Sequence, residues 1–233
     1  MQFIPTLNKY HIFSGFEPEL LPPQEKENFN KAGVILKYKK NSVIYAEGST
    51  PKGAYLLIKG MVKVNQINTD GVEQIIFFFS AGELFGFRAF LSNDKHQKSA
   101  ICMEDCEIKF IDGDSFIKLI ETSTIFTRQL LVRVCHESVI LINRINLYAQ
   151  RGIRERLAFA LLILNEKFKS SNSKTETANI NISRTNLAAF VGTSIDVISR
   201  NVKFYVEKKV IRTYGKNIYI VDFEYLYKAS GIT

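Results

Sequence analysis

Apolar residues between Lys37 and Ile111 come in short runs separated by glycine or by Asp-Gly, a pattern typical of β-strands. The clearest runs are AYLLIKG (54–60), MVKVNQI (61–67), EQIIFFFS (73–80) and CEIKFID (106–112). Asp70-Gly71, between the second and third runs, indicates a hairpin turn. Several short strands at this spacing predict a β-sandwich or a barrel-like roll.

The pattern changes at Ser115, from which we predict one helix without internal glycine or proline to about Leu147. Steps of three and four residues give a stripe that is apolar except at two positions: Thr127, Leu131, Val134, Ser138, Leu141, Ile145 and Tyr148. Further apolar residues lie off this stripe, so the helix has two apolar faces and needs two partners. The roll is one partner. A copy of the same helix in a parallel coiled-coil dimer is the other. The expected seam residues are Leu131, Val134, Ser138, Leu141 and Ile145. Burial within one larger core is the alternative.

Gln150-Arg151-Gly152 breaks the helical pattern and predicts a hinge. The elements expected after it are a helix over 154–168, a polar loop over 169–177, a strand over 179–183, a helix over 184–190 capped by Ser183, a helix to about Glu207, two strands around Tyr214–Lys216 and a small helix over 224–229. Helix, tight glycine turn, helix and two-stranded wing make a winged helix-turn-helix. The chain is thus divided into a β-roll over 1–114, a dimerisation helix over 115–149 and a winged helix-turn-helix over 150–233, an α+β fold.

The stretch GTSIDVISR (192–200) leads into the second helix of this motif. Thr193 or Ser194 can cap the helix, and Asp196, three residues after Thr193, predicts a capping box. Ile198 and Val202 belong to a small core. The side chains left outside are Ser194, Ile195, Asp196, Ser199, Arg200 and Lys203, and such a face can enter a major groove.

The chain has 233 residues, 46% of them hydrophobic and 23% charged, which is ordinary for a globular protein and long enough for two modest domains. The net charge of +8 is unevenly placed. Residues 1–150 hold 17 Lys and Arg against 16 Asp and Glu, whereas residues 151–233 hold 14 against 7. Positive charge concentrated in the last third is the footprint of a nucleic-acid-binding module. A generally basic, solvated surface is the alternative.

The cysteines Cys102, Cys106 and Cys135 form no CxxC pair, which suits a reducing cytoplasm. The N-terminus has no basic segment followed by an apolar core, as a secretion signal would. No apolar run approaches the roughly 18 residues of a membrane helix. We therefore expect a soluble cytoplasmic protein without a membrane partner.

Two modules and the helix between them resemble, in this order, the cyclic-AMP receptor protein/FNR (Crp/Fnr) family of bacterial transcription regulators. The C-terminal resemblance rests on RERLAFALLIL, ISRTNLAAFVGTSIDVISR and YGKNIYI. The N-terminal resemblance rests on YKKNSVIYAEG, YLLIKG, NTDGVEQII and AGELFGF. It implies a cyclic-nucleotide-binding-like β-roll of the jelly-roll type and a homodimer that binds an inverted-repeat operator in double-stranded DNA. RNA polymerase is a further candidate partner, and no enzymatic activity is expected.

The resemblance also implies which residues touch DNA. Ile195-Asp196 followed by Ser199-Arg200 is more similar to the FNR branch than to the cyclic-AMP receptor branch, which has Arg-Glu and then Arg four residues later. Arg200 would pair with a guanine and Asp196 would accept from a cytosine amino group. Ser199 would make a shorter contact, and Ile195 would meet a thymine methyl. Phosphate contacts are expected from Ser183, Arg184, Ser194, Lys203 and Lys216. A phosphate-only or surface role is the alternative for Arg200.

Family members that bind cyclic AMP hold its ribose with a Glu and its phosphate with an Arg-Ser pair. In this sequence Phe87 or Arg88 stands at the position of the acid, and Lys98-Ser99 stands in place of Arg-Ser. A phenyl ring cannot accept the ribose hydrogen bonds, and Lys offers a point charge rather than a fork. We therefore do not expect cyclic AMP as the ligand. The candidate effector pocket comprises Glu83, Phe87, Arg88, Lys98, Ser99 and Ser138. Another small effector and no ligand both stay open.

No metal or cofactor is expected. FNR-type iron–sulfur sensing requires an N-terminal cysteine cluster, whereas the first cysteine is Cys102. The histidines His11, His96 and His136 are dispersed, and we expect His96 to be a solvated loop residue. Two other function classes remain: a cyclic-nucleotide-binding-like module acting through protein or RNA contacts, and an enzyme on a cupin-like roll. The second is disfavoured because the sequence lacks a His/Glu ligand cluster.

Overall fold

The computed structural model describes residues 7–11, 15–169 and 177–232. The polar loop predicted over 169–177 therefore lies largely outside the described residues. The chain divides into two compact units, one of residues 14–135 and one that combines residues 1–13 with 136–233. Among the described residues, no helix is both long enough and apolar enough to cross a membrane.

The unit of residues 14–135 is a β-roll of two four-stranded antiparallel sheets. Its strands are β1 (Val34–Tyr38), β2 (Val43–Tyr45), β3 (Gly53–Lys59), β4 (Met61–Ile67), β5 (Glu73–Ser80), β6 (Leu84–Phe85), β7 (Ser99–Cys102) and β8 (Cys106–Asp112). One sheet has the order β1-β8-β3-β6 and the other the order β2-β7-β4-β5. A 3₁₀ turn (Pro18–Leu20) and the helices α1 (Pro23–Lys31), α2 (Phe87–Leu91) and α3 (Gly113–Thr122) complete the roll. The predicted roll and its four clearest strands are confirmed.

The hairpin between β4 and β5 turns where Asp-Gly predicts it. Gly71 has a φ of +78°, a left-handed conformation that glycine adopts at little cost. The Asn68 side chain accepts hydrogen bonds from the backbone N–H of Asp70 and of Val72, at 3.0 and 2.8 Å. An Asn at this place closes the turn through its own side chain.

The single helix predicted from Ser115 is wrong, because the chain forms two helices there. The first, α3, ends at Thr122, and the second, α4 (Thr124–Gln150), follows after one extended residue, Ser123. The Ser123 hydroxyl accepts from the Phe126 N–H at 3.1 Å and donates to the Glu25 carboxylate. Serine side chains compete with the helical hydrogen-bond ladder in this way, so the helix restarts with Ser123 at its beginning.

The second unit contains a winged helix-turn-helix. Its elements are α5 (Ile153–Phe168), β9 (Ile180–Asn181), α6 (Arg184–Val191), α7 (Ile195–Glu207), β10 (Ile211–Tyr214), β11 (Asn217–Ile220) and α8 (Phe223–Ser230). The sheet order is β10-β11-β9, with antiparallel pairing. Ser183 caps α6 by accepting from the Asn186 N–H at 3.1 Å, as predicted. Gly192 ends α6 with a φ of +74°, which makes the tight turn into α7.

Candidate nucleic-acid interface

Helix α7 is held in place by one buried face. Ile198, Val202 and Tyr205 follow one another at steps of four and three residues, and all three are buried. The Tyr205 hydroxyl donates to the carbonyl oxygen of Arg154 at 2.9 Å, which ties α7 to the first turn of α5. The opposite face of α7 is therefore presented to solvent in a fixed direction.

The cap of α7 differs from the predicted capping box. The helix begins at Ile195, so Ser194 is the cap, and its side chain accepts from the Val197 N–H at 3.4 Å. The residue three positions after the cap is Val197, which has no group to complete a box. Asp196 instead lies in the first turn, where its negative charge suits the positive end of the helix dipole.

The four residues predicted to contact bases lie together on the exposed face of α7. Ile195 is 46% exposed, and Asp196, Ser199 and Arg200 are also exposed. The Ser199 hydroxyl donates to the Ile195 carbonyl oxygen at 2.8 Å, so its oxygen can only accept from a further partner. An isoleucine, an acid, a hydroxyl acceptor and an arginine within six consecutive helical positions offer both polar and apolar contacts to base edges.

The residues predicted to contact phosphate differ from one another in exposure and in the hydrogen bonds they already make. Lys203 is exposed on α7, 3.8 Å from the Glu207 carboxylate, and Lys216 is exposed in the turn of the wing. Ser183 and Ser194 both use a side-chain oxygen as a helix cap. Arg184 is half-buried, and desolvation lowers the pKa of its guanidinium. Its Nη1 is buried without a hydrogen-bond partner among the described residues, so this atom is not open to a phosphate in the structure.

Sequence reasoning missed one cation beside α7. The Nε of Arg154, in the first turn of α5, donates to Asn201 Oδ1 at 3.2 Å. Its guanidinium carbon lies 4.2 Å from the ring centroid of Phe204, a cation–π distance. Arg154 is exposed and so adds positive charge next to α7. The stretch RERLAF predicts an amphipathic helix but gives no sign that its first arginine reaches α7.

In the roll, the structure brings together only part of the candidate effector pocket. The positive charge of Arg88 contributes to a lowered pKa of Lys98, although burial is the larger cause and Glu47 opposes both. The Ser99 hydroxyl accepts from the Glu47 backbone N–H at 2.9 Å. Arg88, Lys98, Ser99 and Glu47 therefore form one polar cluster with a surplus of positive charge.

Glu83 and Phe87 do not join this cluster. The Glu83 carboxylate is buried, accepts from Ser80 N–H and Oγ–H at 2.6 and 3.0 Å, and lies 3.9 Å from Arg133 Nη1. Phe87 is buried in the hydrophobic core, with its ring 6.3 Å from that of Phe116. Both side chains make their contacts with other residues of the roll rather than with the polar cluster. Ser138 belongs to the other compact unit.

His96 is not the solvated residue that its loop position predicts. It is buried and stacks on Tyr45 with 3.9 Å between ring centroids and 11° between planes. Burial lowers the pKa of the imidazole, so the neutral form is favoured. Among the residues that the structure describes, no group of three His, Cys, Asp or Glu side chains is placed to hold a metal ion.

The residues of the predicted dimer seam differ in their exposure along α4. Leu131, Ser138 and Ile145 are exposed on α4, Leu131 to 62% and Ile145 to 67%. Val134 packs against the core of the roll, and Leu141 is half-buried. The exposed series is instead Leu131, Cys135, Ser138, Ile142, Ile145 and Ala149, flanked by Val132 and Val139. Its alternating steps of four and three residues are those of a coiled-coil seam.

A β-roll, a long helix with an exposed apolar seam and a winged helix-turn-helix with an exposed basic and polar helix define a two-domain transcription regulator. Residues 35–123 match the family model described as cyclic nucleotide-binding domain, and residues 155–229 match the Crp-like helix-turn-helix domain. The chain belongs to the Crp/Fnr family of transcription regulators, which confirms the resemblance and the fold class.

Curated relatives are similar along most of their length. The chain is 26% identical over 195 residues to the fumarate and nitrate reduction regulatory protein of Yersinia pestis, covering 82% of this chain and 76% of the relative. It is 26% identical over 187 residues to the cAMP-activated global transcriptional regulator CRP of Pasteurella multocida, and the match covers 80% of this chain and 89% of that relative. The solved structure of FixK2 from Bradyrhizobium japonicum has a TM-score of 0.74 at 19% identity, covering 84% of this chain and 96% of that one, and so shares the fold.

Proposed function

We propose that the protein is a homodimer that binds an inverted-repeat operator through α7. The observation that carries this proposal is the division of α7 into a buried face, which anchors the helix, and an exposed face that bears Ile195, Asp196, Ser199 and Arg200. A regulator that acts on DNA works where the chromosome is, which in a bacterial cell is the cytoplasm. Its role is regulatory rather than enzymatic, and RNA polymerase is a candidate partner.

Each residue of the exposed face has a chemical role in this proposal. Arg200 donates two hydrogen bonds to a guanine, and Asp196 accepts from a cytosine amino group. Ser199 accepts a hydrogen bond, and Ile195 packs on a thymine methyl. The phosphate contacts come from Ser183, Arg184, Ser194, Lys203 and Lys216.

The apolar series on α4 supports the homodimer. A second copy packed along Leu131, Cys135, Ser138, Ile142 and Ile145 would bury these side chains in a parallel two-stranded seam. Two-fold symmetry then places the two α7 helices on successive turns of one face of the duplex, about 34 Å apart. Such a spacing requires a two-fold symmetric operator.

We propose further that the roll does not respond to cyclic AMP. The side chain at the position of the ribose-binding acid, Phe87, is buried in the core, and the acid that is present, Glu83, is occupied by Ser80. Arg88, Lys98 and Ser99 form a cationic cluster that suits a different small anion. This part of the proposal is independent of the DNA-binding part.

The base-contact assignment is tested by selecting a duplex from a random pool and comparing Arg200→Ala with Lys203→Ala. Loss of one bidentate contact should cost Arg200→Ala about 1–3 kcal/mol on the selected duplex only. Lys203→Ala should weaken selected and random duplexes equally and reduce the salt slope by about 1. If Arg200→Ala also weakens both duplexes equally, Arg200 contacts phosphate and the base assignment is wrong.

A further inference from the structure

The described N-terminal residues Leu7–His11 belong to the unit that contains the helix-turn-helix. They form a tight turn, in which the N–H groups of Tyr10 and His11 both donate to the Leu7 carbonyl oxygen, at 2.9 and 3.1 Å. The side chains of Leu7 and His11 are buried, whereas that of Lys9 is exposed. The segment is therefore packed on one side and solvated on the other.

One set of contacts ties this segment to α4. His136 Nε2 lies 2.5 Å from the carbonyl oxygen of Asn8, and Asn143 Nδ2 donates to the carbonyl oxygen of Lys9 at 2.8 Å. His136 and Asn143 are seven residues apart and so lie two turns apart on one face of α4. The segment thus lies along α4 for about 10 Å.

A second set of contacts reaches α5 and α6, which belong to the helix-turn-helix domain. The Tyr10 ring meets the ring of Phe159 on α5 edge to face, with centroids 5.4 Å apart and planes at 72°. The His11 ring meets that of Phe190 on α6 in the same manner, at 6.3 Å and 65°. Both arrangements fall in the range in which aromatic pairs attract each other.

The two sets of contacts lie on opposite sides of the break at residues 150–152, where α4 ends and α5 begins. Tyr148, in the last turn of α4, also reaches the helix-turn-helix, since its hydroxyl donates to the Phe190 carbonyl oxygen at 2.6 Å. The Arg144 guanidinium lies 5.0 Å from the Phe190 ring centroid. Phe190 is thus contacted from one side by α4 and from another by the N-terminal segment.

We propose that Leu7–His11 is an intramolecular strap that bridges this break, holds α5 and α6 against α4, and so sets the orientation in which α7 is presented. Its effect on DNA binding rests on the proposed function, but its effect on the hinge does not. Without the strap, fewer contacts would restrain the hinge. Those that remain include the contacts of Tyr148 and Arg144 with Phe190 and the hydrogen bond from Arg151 Nη2 to the Gly231 carbonyl oxygen at 2.8 Å.

The test compares full-length Tyr10→Ala/His11→Ala with full-length Lys9→Ala by hydrogen–deuterium exchange. Lys9→Ala is the matched control, because it keeps the backbone carbonyl that Asn143 uses and removes only an exposed side chain. The reporters are the hinge amides of Arg151 and Arg156, which donate to Leu147 and Gly152 carbonyl oxygens at 3.0 Å. The double variant should exchange at these amides at least about tenfold faster, and the control within about twofold of the unchanged protein.

Unchanged hinge exchange in the double variant would overturn the proposal. An equal rise at the β4 and β5 amides of the roll would overturn it as well, because the segment would then contribute only to overall stability. Affinity for the selected duplex should shift in the double variant and not in the control. If hinge exchange rises while that affinity stays the same, the strap does not set the orientation of α7. If hinge exchange rises and no duplex is bound even by the unchanged protein, the strap stands and the proposed function fails.

Discussion

Ile145 provides a quantitative test of the dimer seam. It is 67% exposed on α4 in one chain, and the homodimer would bury it in both. Full burial of such a side chain stabilises by about 1.5–3 kcal/mol, so two-thirds of it amounts to about 1–2 kcal/mol per chain and about 2–4 kcal/mol per dimer. Ala keeps the Cβ atom, so Ile145→Ala should remove only part of this stabilisation, about 2–3 kcal/mol per dimer. That loss should weaken dimerisation roughly 30- to 150-fold.

The assay is sedimentation equilibrium over a concentration range that spans the dimer Kd. Ile195→Ala is the matched control, because it makes the same change at a residue that is also exposed, 46%, but lies on α7. It should leave the dimer Kd unchanged and weaken DNA binding instead. A dimer Kd within twofold of the original value for Ile145→Ala would refute the seam.

Three further predictions follow from the described residues. Mild oxidation of the dimer should join the chains through Cys135, which is exposed in the seam while Cys102 and Cys106 are buried, and Cys135→Ser should give no covalent dimer on a non-reducing gel. Burial lowers the pKa of His96 in the folded protein, so near pH 6 the unfolded chain binds a proton that the folded chain does not. The contribution of neutral His96 to the free energy of unfolding should therefore be complete above about pH 6.5. Below that pH it should decrease by at most about 1.4 kcal/mol per pH unit. Urea unfolding at pH 7 and pH 5.5 should show a smaller decrease in the free energy of unfolding for His96→Phe than for the unchanged protein. An equal decrease in both proteins would contradict this prediction. Cyclic AMP at micromolar concentration should leave the melting temperature unchanged, whereas a rise of several degrees would show that it binds the folded protein.

Elements with a strong local pattern were predictable from the sequence. The bounds of β4, β5 and β8 coincide with the predicted runs, and α5 begins one residue earlier than predicted. The helix break at Ser123 was not predictable, because it depends on Glu25, which is 98 residues away in the chain. The helical period predicts an apolar stripe on α4, but only the folded roll shows that Val134 packs against the core.

The candidate interface was more accessible to sequence reasoning than the effector pocket for a physical reason. Ile195, Asp196, Ser199 and Arg200 lie within six consecutive residues, so helical geometry alone puts them on one face. The polar cluster of the roll is assembled from separate stretches around residues 47, 88 and 98–99, and its membership depends on strand pairing. Phe87, next to Arg88 in sequence, consequently faces the core instead of the cluster.

Because the exposed face of α7 and the polar cluster of the roll are built from different residues, DNA binding and effector binding should be separable. The side chains that anchor α7, among them Ile198 and Tyr205, belong to the core of the helix-turn-helix unit and share no residue with the roll cluster. Substitution of Arg88 or Lys98 should therefore change the response to an effector without changing which operator is bound. The described contacts of the strap formed by Leu7–His11 are with α4, α5 and α6. Under the proposed function, loss of the strap should therefore change how strongly the operator is bound, while the sequence preference assigned to Arg200 and its neighbours should stay the same.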